Sequence, residues 1–163
     1  MFIQISVRFL LATAIVLTIG CDRVTKHVAT AALAGMPSRS FLADTVRLQY
    51  AENTGGFLGV GADLHPSLRT GLFTMATGMM LVLMTAAAVR LRVSGAALVG
   101  VTLLVAGGAS NWIDRVVHGS VVDFLNVGVG PVRTGIFNVA DVAILLGAAV
   151  MLIAEIRAAR RLT

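Results

Sequence analysis

The stretch from Asn111 to Asp141 gathers three carboxylates (Asp114, Asp123, Asp141) with the guanidinium of Arg115 and the amides of Asn111 and Asn138, between runs of Ala, Val, Leu, Gly and Met. A carboxylate placed in a bilayer costs roughly 2.5–3.5 kcal/mol on insertion scales, so acids in such surroundings are candidates for function. Two of them brought within a few ångströms cannot both ionise easily and share a proton. One then serves as a general base for water and the other as a general acid for a carbonyl, which is peptide hydrolysis without a metal or a nucleophilic serine.

Asn111, Asp114 and Arg115 stand at i, i+3 and i+4, on one face of a helix end. Asn138 and Asp141 are i, i+3 at the start of another helix, and Asp123 lies between the two in a β-prone stretch, Ser120-Val121-Val122-Asp123-Phe124. Each group has a plainer reading. Asp114 beside Arg115 is most simply a structural ion pair, the two amides satisfy backbone at helix ends, and Asp141 alone is a partner for a helix N-terminus. Asp22 and Lys26 make an i,i+4 pair that reads as a solvated helix end. His27, His65 and His118 have no ligand spacing, so no metal and no cofactor is expected. Trp112 reads as an interfacial aromatic.

The elements that must position these groups are membrane helices. Hydrophobic residues make up 57% of 163 and charged ones 13%, with a mean hydropathy of +0.90, which places the chain among integral membrane proteins. The net charge of +5 forms no basic stripe with interleaved aromatics, so no nucleic-acid partner is expected. One cysteine excludes an intrachain disulfide framework and a Cys-rich zinc site.

The expected class is membrane all-α: four transmembrane helices over about 7–21, 70–89, 93–113 and 134–156 in a single domain, 1–163. An outer lobe, 22–69, between helices one and two has some β character, and an outer loop, 114–133, joins helices three and four. Within the lobe, Val46 to Tyr50 alternates like a half-buried strand, and Glu52 to Phe57 reads as a turn. The first helix has a rival reading, since a basic start, an apolar stretch and Cys21 imitate a cleavable lipoprotein signal. Thr18, and the three long apolar runs that follow, favour a retained helix. Arg8, Arg90, Arg92 and the C-terminal arginines Arg157, Arg160 and Arg161 share one side, with Glu155 the only acid there, so that side and both termini are predicted cytoplasmic. The polar island then faces outward.

With these residues in place the chain resembles a known family. Asp22-x-x-x-Lys26, Asn53-Thr54-Gly55-Gly56-Phe57, Asn111-x-x-Asp114-Arg115-x-x-x-Gly119-x-Val121-x-Asp123-Phe124 and Phe137-Asn138-x-Ala140-Asp141 are similar, in order and over nearly the full chain, to the motifs of the lipoprotein signal peptidases (signal peptidase II). The resemblance implies an aspartic endopeptidase of the bacterial inner membrane, its site at the outer (periplasmic) face. It would remove signal peptides from prolipoproteins, cutting before a diacylglyceryl-modified cysteine. The dyad matches Asp123 and Asp141. Asn53, Gly55, Asn111, Arg115 and Asn138 match supporting positions, and Asp22, Lys26 and Asp114 match positions concerned with stability or substrate contact. The expected partners are the lipid-modified precursor and membrane lipid, with the chain a monomer. Two departures stand out: Gly-Gly-Phe where many members carry Gly-Ala-Ala-Phe, and Ser110 where Gly usually precedes the Asn. Both bear on loop closure and helix packing rather than on chemistry.

Overall fold

The computed structural model describes residues 2–160, with side chains from residue 9. The Arg8 side chain and Arg161, both used in the topology argument, lie outside that description. Helix α1 spans Phe2–Leu33, β1 Arg39–Phe41 and β2 Val46–Asn53. A 3-10 turn follows at Phe57–Gly59. Helices α2 (Pro66–Arg69) and α3 (Thr77–Arg90) form one rod through a π-helical segment, Thr70–Ala76. Then come α4 (Gly95–His118), β3 (Val121–Val129), β4 (Val132–Arg133) and α5 (Val139–Ala159). Among the described residues, three helices are long and apolar enough to cross a membrane: Pro66–Arg90, Gly95–His118 and Val139–Ala159.

Local chemistry sets the helix limits, and it moves several of them from where hydropathy puts them. The second long helix starts at Pro66 rather than residue 70, because proline is suited to the first helical turn and His65 caps it. The third runs on to His118 and stops where Gly119 takes a left-handed conformation, φ 75°. The fourth starts at Val139, not 134. Asn138 is its N-cap, accepting from the Asp141 N–H while the Asp141 carboxylate accepts from the Asn138 N–H, a reciprocal capping box. The first helix carries Asp22 and Lys26 as expected but continues to Leu33.

The sheet is antiparallel in the order β1-β2-β3-β4, so half of it comes from the connection between α4 and α5 rather than from the lobe after α1. An isolated β2 would leave a row of backbone groups unpaired; β3 supplies the partners, and the 114–133 segment is therefore ordered structure, not a plain loop. Val121, Phe124 and Ala29 and Leu33 of α1 are buried, and Phe124 packs with the two α1 residues to anchor the sheet on the helix end. Helices α4 and α5 approach closely at small residues. A Cβ on Gly147 would lie 2.6 Å from the Gly100 carbonyl oxygen and 2.7 Å from the Leu104 nitrogen.

Candidate active site

The β2–β3 register places Ala51 opposite Asp123 and Asn53 opposite Val121, so Asn53 is the diagonal same-face neighbour of Asp123. Its Nδ2 donates to Asp123 Oδ2 at 2.9 Å. From the other direction, Phe137 pairs with Leu125 through backbone bonds of 2.9 and 2.8 Å, which delivers the start of α5 to the same strand. Asn138 Nδ2 then donates to Asp123 Oδ1 at 2.6 Å, while its backbone N–H donates to Asp141 Oδ2 at 3.1 Å. One residue thus touches both acids. Asp141 Oδ1 takes an N–H from Asn111 at 2.9 Å. Both acids are buried, Asp123 at 2% exposure and Asp141 at 8%.

Behind the acids lies a buried polar network. Lys26 Nζ donates at 2.7 Å to Asn111 Oδ1 and to Asp114 Oδ2, and pairs with Asp22 Oδ2 at the same distance. With its oxygen held by Lys26, Asn111 must present its NH2 to Asp141. Asp22 Oδ1 accepts the Ala140 N–H at 2.9 Å, and Asp22 Oδ2 also accepts from Ser110 Oγ at 2.7 Å. The Asp22–Lys26 pair is therefore not the solvated helix end that spacing suggests: the two residues are 0% and 4% exposed. Nor does Asp114 pair with Arg115. It pairs with Arg23 and Lys26, because neighbours on a helix point about a quarter-turn or more apart. Arg115 turns instead to the lobe, donating from Nη2 to the Gly55 carbonyl oxygen at 2.6 Å. The Trp112 indole N–H donates to the Thr74 carbonyl oxygen at 2.8 Å.

The turn after β2 is closed from several sides. Asn53 Oδ1 accepts the Gly55 N–H and Asn53 Nδ2 reaches the Gly56 carbonyl oxygen, each at 2.9 Å. Arg69 Nη1 donates to Thr54 Oγ1 at 2.7 Å and to the Ala62 carbonyl oxygen at 3.1 Å. A Cβ on Gly55 would lie 2.5 Å from the Val60 carbonyl oxygen and 2.8 Å from the Ala62 nitrogen, both main-chain atoms with little room to give. Gly55→Ala is expected to open this turn, costing about 1–3 kcal/mol of stability. Misplacing Asn53 by about an ångström should also lower turnover about 100-fold. Thermal unfolding and a cleavage assay check the two effects. Sequence reasoning missed Arg69 and the Ser110 hydroxyl. Arg69 offered one signal, a lone cation at the head of an uncharged span; Ser110 stood out only as a departure from Gly, which does not reveal a partner on another helix.

Burial raises the Asp123 carboxyl from its ordinary 3.8 to about 6; the Asn53 hydrogen bond opposes this, and the Asp141 charge adds to it. The folded protein then binds more protons than the unfolded chain between these values. The contribution to stability is present at low pH and is lost as pH rises through about 6. The melting temperature is expected to fall by about 5 °C across that window, and Asp123→Asn to remove the slope. A flat wild-type profile would count against a buried Asp123. Among the described residues no group of three or more His, Cys, Asp or Glu could hold a metal ion.

The profile of the family described as signal peptidase (SPase) II matches residues 14–157, most of the chain. The chain belongs to the signal peptidase II family. A lipoprotein signal peptidase of Streptococcus pneumoniae is 31% identical over 150 residues, covering 92% of this chain and 94% of that protein. One of Cupriavidus taiwanensis is 43% identical over 61 residues, so this chain spans only 35% of that relative's length. A solved bacterial membrane enzyme matches with a TM-score of 0.77 at 25% identity, covering 90% of this chain and 87% of the other. Signal peptidase II is a family of peptidases, and the helices Pro66–Arg90, Gly95–His118 and Val139–Ala159 are long and apolar enough for an integral membrane chain like the solved neighbour.

Proposed function

We propose that this protein is an aspartic endopeptidase that removes signal peptides from bacterial prolipoproteins, cutting before a diacylglyceryl-modified cysteine. The observation that carries the reading is the placement of Asn138, which bonds Asp123 through its side chain and Asp141 through its backbone. Two acids bonded to one residue are neighbours, and the Asp141 charge acts on Asp123; sharing a proton and a water is the step this reading adds. In this reading the pair shares one proton, which rests on Asp123 when the water attacks. Asp141 takes a proton from the water. The water oxygen adds to the scissile carbonyl carbon as Asp123 protonates the carbonyl oxygen. The resulting gem-diol then expels the amine, which leaves with a proton returned through the dyad as the C–N bond breaks. No cofactor is required.

Helix α1 serves as a fourth span in this reading, with both termini cytoplasmic and the dyad at the outer face of the inner membrane. The acids lie at the end of the helices where the sheet packs, which suits a substrate that is itself anchored in lipid. Asn53, Gly55, Arg115 and Asn111 support the acids, while Asp22, Lys26 and Asp114 hold the helices that carry them. The protein works as a monomer. The test is incubation of the reconstituted protein with a precursor peptide in lipid-modified and unmodified forms, read by mass. Cleavage of the modified peptide alone, at the bond before the cysteine, is expected; cleavage elsewhere, or none, sinks the assignment.

A further inference from the structure

Arg69 and Arg115 line a cavity of about 350 Å3 to which no carboxylate contributes. Among the described residues neither guanidinium has an acid within ion-pair distance, although the charges of Asp141, Asp123 and Asp114 reach Arg115 from farther away. Arg115 Nε is buried without a hydrogen-bond partner. The hydrogen bonds of Arg69 run from one nitrogen, Nη1, so the rest of its fork is left for another acceptor. Two guanidiniums lining one cavity with no carboxylate in its wall suit a phosphate, whose oxygens match the fork geometry.

Thr74 and Met75 border this cavity and also a groove of about 960 Å3 that runs down the seam between α3 and α4. The groove is apolar, walled by Gly78, Leu81, Val82, Ala109 and Trp112. The π-helical segment widens the rod where the two spaces meet. From Thr74 to Arg90 the groove follows about 24 Å of helix at 1.5 Å per residue, more than the roughly 15 Å of one leaflet's hydrocarbon.

We propose that this composite is a binding site for a phosphate-bearing diacyl lipid of the surrounding membrane, its phosphodiester between Arg69 and Arg115 and one acyl chain along the α3–α4 seam. The site goes beyond the peptidase reading and does not use the dyad. The diacylglyceryl group of a modified cysteine carries no phosphate, so charge complementarity separates the two lipids.

The test is native mass spectrometry of the full chain in detergent micelles with dioleoylphosphatidylglycerol, dioleoylglycerol or inorganic phosphate as separate probes. A one-to-one phosphatidylglycerol adduct is expected, at least tenfold tighter than dioleoylglycerol. Arg69→Gln should weaken it about tenfold and Arg69→Lys much less, which separates charge from the loop contacts of Arg69. Val82→Trp, on an exposed groove wall, should weaken it independently of the arginines. Asp123→Asn should bind as wild type, so loss of cleavage and loss of lipid binding are read apart. No adduct, equal binding of dioleoylglycerol, unchanged binding in both Arg69→Gln and Val82→Trp, or full competition by inorganic phosphate would overturn the proposal.

Discussion

Replacing either Asp123 or Asp141 with Asn is expected to lower turnover of a lipid-modified precursor by about 10^4-fold, about 5.4 kcal/mol of barrier. An amide can neither take the proton from water nor pass one to the carbonyl oxygen. The substitution also meets a donor on each side. Asp123 faces the NH2 groups of Asn53 and Asn138, and Asp141 those of Asn111 and the Asn138 backbone. Asn111 cannot turn over to relieve this, because Lys26 holds its oxygen at 2.7 Å. A modest stability loss, about 1–3 kcal/mol, should accompany the loss of activity. The double variant should be no slower than either single one, because the acids act as a unit. Single-turnover cleavage in detergent, with thermal unfolding alongside, provides both readings; a variant that keeps more than about a tenth of wild-type turnover removes the dyad from the mechanism.

Lys26→Met is expected to have the largest effect on stability, about 3–5 kcal/mol. Its ammonium donates to Asn111 and Asp114 and pairs with Asp22, all at 2.7 Å, with 5% of the side chain exposed. Methionine fills a similar volume, so the cost is electrostatic. Asp22 would remain fully buried with only Ser110 and the Ala140 N–H to hold it, and Asp114 with Arg23 alone. Adding Asp22→Asn to Lys26→Met should recover part of the loss, since the second change removes the charge that the first leaves unpaired. Denaturation midpoints of the two single variants and the double measure the coupling. A Lys26→Met protein within about 1 kcal/mol of wild type would mean that water enters the network and the buried description of it is wrong.

The same lysine explains how a residue far from the acids in sequence bears on them. Lys26 fixes Asn111, and Asn111 fixes one oxygen of Asp141. Asp22 fixes the Ala140 N–H, one residue before Asp141. Ser110, where the family usually has glycine, adds a hydroxyl to Asp22 in this chain, so the departure falls on the support of the dyad rather than on the dyad itself.

By itself the sequence determined the membrane class, the pair of acids worth testing and the strand from Val46, while it set the start of the fourth helix several residues before its Asn138 cap. The first three rest on local chemistry: apolar length, the cost of charge in lipid, and alternation. The tertiary structure decided the rest. It set β3 beside β2, made the 114–133 segment half of a sheet, and turned Asp114 away from Arg115 toward Arg23 and Lys26. It also buried the Asp22–Lys26 pair that spacing alone leaves in water. Hydrogen bonds between residues tens of positions apart leave no period in the sequence, because either partner would look the same on a solvated surface. Only the packing of α1, α4 and α5 around them, with water excluded, makes them obligatory.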